Sequence, residues 1–295
     1  MSPSPIIFDR QLLRARRRRA ERLGASDFLI ERVAEDIAER LSVVLRQFDV
    51  AVDLGTPSEA VRRALAASGK VGMVVAASPL AMGPLAVVAE EEALPFRDRA
   101  IDLVTSVLSL QFVNDLPGAL VQIARALRPD GLFLAALAGG ETLSELRQAF
   151  AQAEAEIEDG ISPRVAPFAD LRDLGALLQR AGFALPVTDV DRITVRYASP
   201  IALMHDLRRM GATNALTERR RKPLKRATLM RMIEIYGERF ADADGRIRAT
   251  FEIVWLSGWA PHESQQQPLK PGSAQQRLAD VLGTKEQSAG EKAKR

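Results

Sequence analysis

The residues of this chain that could do chemistry are carboxylates, amides and hydroxyls, and the most suggestive of them stand just beyond apolar runs. Asp53 and Gly55 close the run 50–54, and Asn114 and Asp115 follow the run 101–106 after a short interval. Glu141 follows Gly139-Gly140 at the end of the run 132–137. Polar residues in such places either line a pocket or cap the next helix. Other chemistries are excluded by composition. There is no cysteine, hence no thiolate nucleophile, no disulfide framework, no Cys-ligated zinc and no iron–sulfur cluster. The only two histidines, His205 and His262, are far apart and lack the spacing of a two-His, one-carboxylate triad, so no metal site is expected. No Ser-His-Asp constellation can be assembled either.

The elements that must position these groups can be read from apolar periodicity. Runs at 50–54, 71–76, 85–89, 101–106 and 132–137 are nearly continuous in apolar character, as strands buried on both faces are. Helical spacing lies between several of them: Val61 with Leu65, then Leu116, Leu120, Ile123 and Leu127, stopped by Pro129-Asp130-Gly131. A third helix is expected over 142–155. Strand and helix alternating at this pace predict an α/β fold with a parallel sheet covered on both faces. Upstream, Ser26 and Asp27, expected as helix caps, precede Leu29, Val33, Ile37, Leu41 and Val44, the face of an amphipathic helix. Downstream, 170–181 reads as a helix closed by Gly182, and 187–190 and 193–197 as two polar-alternating strands near a sheet edge. Ser199-Pro200 starts a further helix, Leu229, Ile233 and Tyr236 mark another, and a strand returns at 250–256. From 264 to 295 Gln, Pro, Ser, Gly and Lys dominate, predicting a disordered tail.

Of 295 residues, 41 are Lys or Arg and 38 are Asp or Glu, a net charge of +3 that conceals two concentrated basic runs. Residues 10–22 hold seven arginines and one acid, residues 218–226 hold six basic residues and one acid, and the remainder carries −8. Such runs suit an acidic partner, an anionic membrane face or a solvated surface. With two Tyr and two Trp in the chain, and none within the runs, nucleic acid is not expected as a partner. No apolar stretch reaches the length of a transmembrane helix, and the N-terminal segment lacks the apolar core of a signal peptide, so a soluble cytoplasmic protein is expected, with peripheral membrane contact open.

Asp53-Leu54-Gly55, Leu94-Pro95-Phe96, Ile101-Asp102-Leu103-Val104 and Leu127-Arg128-Pro129-Asp130-Gly131 resemble segments of the class I S-adenosylmethionine-dependent methyltransferases. Narrower pieces are similar to the methyltransferase-like assembly factors of respiratory complex I. They are Val113-Asn114-Asp115-Leu116-Pro117, Gly139-Gly140-Glu141-Thr142-Leu143, Gly258-Trp259-Ala260-Pro261-His262-Glu263-Ser264 and Ile7-Phe8-Asp9-Arg10. The malonyl-carrier-protein methyltransferases of biotin synthesis are a related group. The resemblance implies a Rossmann-like, seven-stranded class I methyltransferase fold with helices inserted before the last strand. The expected organisation is a basic helical arm over 1–44 and a methyltransferase-like domain over 45–260, with the helical insertion at about 199–245.

The same resemblance implies roles. Asp53 and Gly55 match the start of the cofactor turn, Glu90 the acid that reaches the adenine amino group, and Gln111 a position after strand four where the family tends to have His. Asn114, Asp115 and Glu141 are the implied catalytic candidates. Two departures predict that S-adenosylmethionine binds weakly or not at all. Thr56-Pro57-Ser58-Glu59 stands where further glycine is expected, and Ala76 stands where a carboxylate accepts the ribose hydroxyls. The implied function is modification of an arginine in a peripheral-arm subunit of complex I. The alternatives are methyl transfer to a small molecule or carrier protein, and a non-catalytic assembly chaperone.

Overall fold

Continuous apolar runs become the inner strands of one sheet. In a computed structural model, which describes residues 5–81, 83, 85–158, 160–266, 280 and 283–284, seven strands are present among the described residues. They are β1 (Phe48–Leu54), β2 (Val71–Ser78), β3 (Ala86–Val88), β4 (Ile101–Val107), β5 (Leu127–Ala138), β6 (Ala184–Tyr197) and β7 (Ile247–Trp259). Their order is β3-β2-β1-β4-β5-β7-β6, parallel throughout except that β7 runs against both β5 and β6. Strand order reverses between β1 and β4, so the crevice outside the carboxyl ends of those strands is where a ligand belongs.

Among the described residues eight α-helices accompany the sheet: α1 (Arg10–Leu23), α2 (Phe28–Ser42), α3 (Ala60–Ala67), α4 (Leu116–Ala126), α5 (Ser144–Ile157), α6 (Leu171–Arg180), α7 (Pro200–Arg209) and α8 (Arg226–Phe240). Alternate strand residues serve opposite faces. Ala51, Leu132 and Leu134 pack with Ile37, Leu65 and Ile235 of α2, α3 and α8, while Val52, Phe133 and Ala135 pack with Ile123 of α4 and Leu178 of α6. Local signals set the ends: Ser199 accepts from the Ala202 amide with Pro200 at the first helical position, and Asp170 accepts from the Arg172 amide. The helices α7 and α8 are the insertion before the last strand.

Three differences from the sequence reading have physical causes. The two strands expected at 187–190 and 193–197 are one strand, because β6 is an edge strand whose polar side chains alternate outward while its backbone pairs with β7 from Val187 to Tyr197 without a break. The described part of the arm expected over 1–44 packs into the fold. Its helices belong to the same compact unit, Met1–Pro261, and α2 contributes Leu29, Ile30, Val33, Ile37 and Leu41 to the main core. Asp27 makes no side-chain cap to α2, and instead accepts from the Ser58 hydroxyl at 2.8 Å. Residues from His262 onward form a second unit, in which the His262 ring bonds the Ser264 hydroxyl at 2.7 Å. Most of the tail expected to be disordered lies outside the described residues.

Candidate functional site

The turn after β1 is built from two residues that leave no alternative. Asp53, 1% exposed, accepts from the Thr56 hydroxyl and from Arg62 Nη1 at 3.1 Å, and Thr56 Oγ1 in turn accepts from the Val107 amide at 3.1 Å. Strand β1 is thereby stitched to β4 beneath the crevice. Gly55 has φ +75°, and a Cβ there would lie 2.6 Å from Glu91 Oε1. Only glycine fits.

Burial lifts the Asp53 carboxyl to about 6, with Thr56 and Arg62 pulling the other way. Because the folded state holds this proton more tightly than the unfolded chain, the group's contribution to stability falls as pH rises from about 4 to about 6. The span corresponds to roughly 3 kcal/mol. Asp53→Asn cannot ionise, so the difference in unfolding free energy between variant and native protein should shift in the variant's favour by up to that amount across this window. Denaturant titrations at pH 4 and pH 7 measure it.

Helix α1 reaches into the same place. Its inward stripe is Leu13, Arg17 and Ala20, so an arginine occupies a position that the spacing assigns to an apolar side chain. Arg17, 9% exposed, donates to the Gly55 carbonyl at 3.3 Å and to Ser109 Oγ at 3.2 Å. Its charge is met by Glu91, 0% exposed, at 3.7 Å. Glu91 also takes Arg10 and a 2.8 Å hydrogen bond from the Ser109 hydroxyl. Burial pushes the Glu91 carboxyl up, but Arg10 and Arg17 more than offset it and hold the group below its ordinary range. Burial lowers Arg17, with Glu91 opposing. Glu90, the residue assigned to adenine, points to the rim, where Arg10 and Arg14 hold it.

Two cavities flank this cluster. A cleft of about 260 Å³ opens over the ends of β1 and β2, lined by Asp53, Gly55, Pro57, Arg62, Ala76 and Arg209, among others. An inner cavity of about 80 Å³ lies towards β4 and β5, lined mostly by apolar side chains including Leu29, Leu108, Leu143 and Phe251. Arg17, Ile30, Pro57 and Met210 line both, so Arg17 stands on the partition between them.

The other sequence candidates are dispersed. Gln111, in the 3₁₀ turn Leu110–Phe112, lines the inner cavity, where its buried side-chain oxygen has no hydrogen-bond partner. Asn114 clamps the start of the chain: its oxygen accepts from the Ile7 and Phe8 amides at 2.8 and 2.7 Å, and its nitrogen donates to the Phe8 carbonyl at 3.2 Å. Asp115 caps α4, accepting from the Gly118 amide at 2.9 Å. Glu141 is exposed, and neither it nor Asn114 nor Asp115 lines either cavity. The carboxylate that does organise the turn after β5 is Glu252, buried on β7. It accepts from the Glu141 amide at 3.3 Å and pairs with Arg192 at 3.0 Å. Gly139 makes room for it, since a Cβ there would lie 2.5 Å from Glu252 Oε1. The three residues expected to be catalytic thus stand as a clamp, a cap and a surface residue, apart from both cavities. Asp115→Ala should cost about 1 kcal/mol, seen as a lower melting temperature, while Asp115→Asn, itself a good cap, should not.

The basic runs are used partly inside the protein. A bridge between Phe8 and Leu216, with the Thr217 amide donating to the Ile7 carbonyl at 2.9 Å, brings the two runs side by side. Burial, with Arg219 and Arg19 nearby, lowers Arg16 to about 10. Arg219 pairs with Asp9, and Arg220 and Lys225 pair with Glu158. Arg18, Arg22, Arg221 and Lys222 face solvent.

A seven-stranded sheet with this order and a reversed β7, with its cleft at the β1–β2 end, is the Rossmann-like fold of the class I methyltransferases. Residues 50–135 match the methyltransferase-domain family. A proposed methyltransferase of Bacillus halodurans C-125 has a similar structure (TM-score 0.50, 15% identity, covering 77% of this chain and 98% of that one). The mitochondrial arginine-hydroxylase NDUFAF5 of Danio rerio is 38% identical over 287 residues, covering 93% of this chain and 89% of the relative. The human protein of that name is 40% identical over 280 residues, covering 91% and 81%. The malonyl-[acyl-carrier protein] O-methyltransferase of Halorhodospira halophila is 35% identical over 253 residues, covering 81% and 84%. The chain belongs to the methyltransferase-like enzyme family of the arginine hydroxylase NDUFAF5.

Proposed function

We propose that this protein hydroxylates an arginine side chain of a peripheral-arm subunit of NADH–quinone oxidoreductase, respiratory complex I, and thereby promotes its assembly. The carrying observation is the 38–40% identity, over more than nine-tenths of the chain, with proteins named as arginine hydroxylases. The segments 113–117, 139–143 and 258–264, similar to complex I assembly factors, add to it. The proposed place of action is the cytoplasm of a bacterium, at the inner face of its membrane. No helix among the described residues is long and apolar enough to cross a membrane. The outward arginines of α1 and of the 219–222 run suit an acidic face of the partner.

The cleft fits S-adenosylmethionine at one end only. Gly55 provides the sharp turn under the methionine end, and Arg209 offers charge for a carboxylate, while Arg17 and Arg62 are paired with Glu91 and Asp53. At the ribose end Ala76, paired in register with Asp53, offers no acceptor, and Glu90 is tied to two arginines. S-adenosylmethionine is therefore expected to bind weakly. Missing one charged acceptor costs about 1.5–3 kcal/mol, or one to two decades in affinity. Ala76→Asp should recover much of that in an isothermal titration. Low-micromolar binding by the native protein, unimproved by Ala76→Asp, would count against this account of the pocket. What the chain's own groups do is narrower. Asp53, titrating at about 6, can hold or release a proton near neutrality at the floor of the cleft.

A second reading, methyl transfer to a carrier protein, is supported by the similarity to malonyl-carrier-protein O-methyltransferases. Ala76 weighs against it, because methyl transfer needs the cofactor firmly held. A third, a chaperone without catalysis, predicts that cleft variants remain functional. Deleting the gene and complementing with native protein, Asp53→Asn and Ala76→Asp decides among them. Hydroxylation predicts loss of assembled complex I on deletion, rescue by native protein and failure of Asp53→Asn. Full rescue by Asp53→Asn would favour the chaperone.

A further inference from the structure

The cluster around Glu91 solves a problem that the proposed function poses: where an incoming arginine would put its head. A guanidinium needs a carboxylate and further acceptors in a sheltered place, and its three-methylene stem needs apolar walls. Such a place exists here and already holds a guanidinium. Arg17 donates to the Gly55 carbonyl and Ser109 Oγ and faces the Glu91 carboxylate, on the partition between the cleft and the inner cavity.

The inner cavity, on the β4–β5 side, has Arg17 among its lining residues. At about 10–15 Å³ per water-sized group, its 80 Å³ admits about six such groups, the scale of one side chain and far below a nucleoside. Its walls are mostly apolar, and the one orphaned buried oxygen among its lining residues belongs to Gln111, an acceptor suited to an N–H donor. Stem-sized apolar room thus borders Arg17, whose guanidinium is held by Glu91, Ser109 and the Gly55 carbonyl, and the cleft borders Arg17 and Gly55 as well.

Resting on the proposed arginine chemistry, we infer that Glu91, Ser109 and the Gly55 carbonyl are the receptor for the substrate arginine, and that Arg17 of α1 fills it in cis as a pseudosubstrate. The incoming arginine displaces Arg17, takes its hydrogen bonds and lays its stem in the inner cavity beside Gln111. For that, α1 must withdraw, which releases the Asn114 clamp on residues 7 and 8, the pairing of Asp9 with Arg219, the bridge of Phe8 to Leu216, the packing of Phe8 on Phe112 and the hold of Arg10 on Glu91. With a purely structural ion pair α1 would stay in place after Arg17 is removed, and no arginine from solution would reach the acceptors left behind.

That difference can be measured on the full-length chain with Nα-acetyl-arginine methylamide as the probe and its lysine counterpart as the control. Binding is read by equilibrium dialysis and ligand-observed NMR. Arg17→Ala should bind the arginine probe at least tenfold more tightly than the native protein does, and at least tenfold more tightly than the lysine probe. Adding Glu91→Gln should abolish the gain. Should Arg17→Ala fail to fold, Asn114→Ala keeps every receptor group, loosens the arm and should show the same preference in smaller degree. No gain in any folded variant, or equal binding of arginine and lysine probes, overturns the inference. The proposed function fails separately: arginine-selective binding with an unmodified complex I subunit would leave the receptor standing and sink the hydroxylase reading.

Discussion

Glu91→Ala is expected to lower the unfolding free energy by about 3–5 kcal/mol, the largest effect of any single truncation near the site. The carboxylate is wholly buried and is the shared partner of Arg10 and Arg17, while Arg17 is itself nearly buried. Removing it leaves a buried guanidinium without a counter-charge, which costs far more than the pair contributed. The Ser109 hydroxyl also loses its acceptor. Chemical denaturation of Glu91→Ala and Arg17→Met, singly and together, tests the argument. The double variant removes both charges, so it should be markedly more stable than Glu91→Ala alone. A loss under 1 kcal/mol in Glu91→Ala would mean that α1 is not held by this cluster.

The second large effect is expected at Gly55. A Cβ at φ +75° carries backbone strain of about 1–2 kcal/mol, and this one would also sit 2.6 Å from Glu91 Oε1 and 2.9 Å from its Cγ. Neither neighbour can retreat, since Glu91 is fixed by its arginines, so an overpacking cost of about 1–3 kcal/mol adds to the strain. Gly55→Ala should therefore lose about 3 kcal/mol and, by pushing Glu91 aside, expose α1 to proteolysis. By contrast Gly140→Ala, where an added Cβ meets nothing within 4 Å, should be nearly neutral. Thermal melts and limited proteolysis of both variants make the comparison.

The sheet was legible because strands buried on both faces leave continuous apolar runs, and the insertion because Ser199-Pro200 and Asp170 carry their own stop and start chemistry. The site was legible only in part, for reasons of parity and distance. Asp53 and Gly55 sit where a strand ends, and the fold alone decides what lies there. Within Glu90-Glu91-Glu92, a single step along the chain after β3 separates the buried acid from the one on the rim, and no periodicity extends far enough to choose. Arg17 did leave a signal, since it shares an inward helical stripe with Leu13 and Ala20, but a run of seven arginines reads first as a charged surface. Asn114 and Asp115 could not be told from pocket residues because caps and clamps use the same side chains. Glu252 was hidden in an apolar strand, and its role follows from the antiparallel pairing that sets β7 beside the turn after β5.

The reading of this protein as an arginine-modifying enzyme of complex I meets its most direct test in the mass of its partner. Peripheral-arm subunits purified from native, deletion and Asp53→Asn strains should be digested and their arginine-containing peptides weighed and fragmented. The account predicts one arginine carrying an added oxygen atom in the native strain, absent on deletion and not restored by Asp53→Asn. Peptides of identical mass in all three strains, with complex I still lost on deletion, would contradict it.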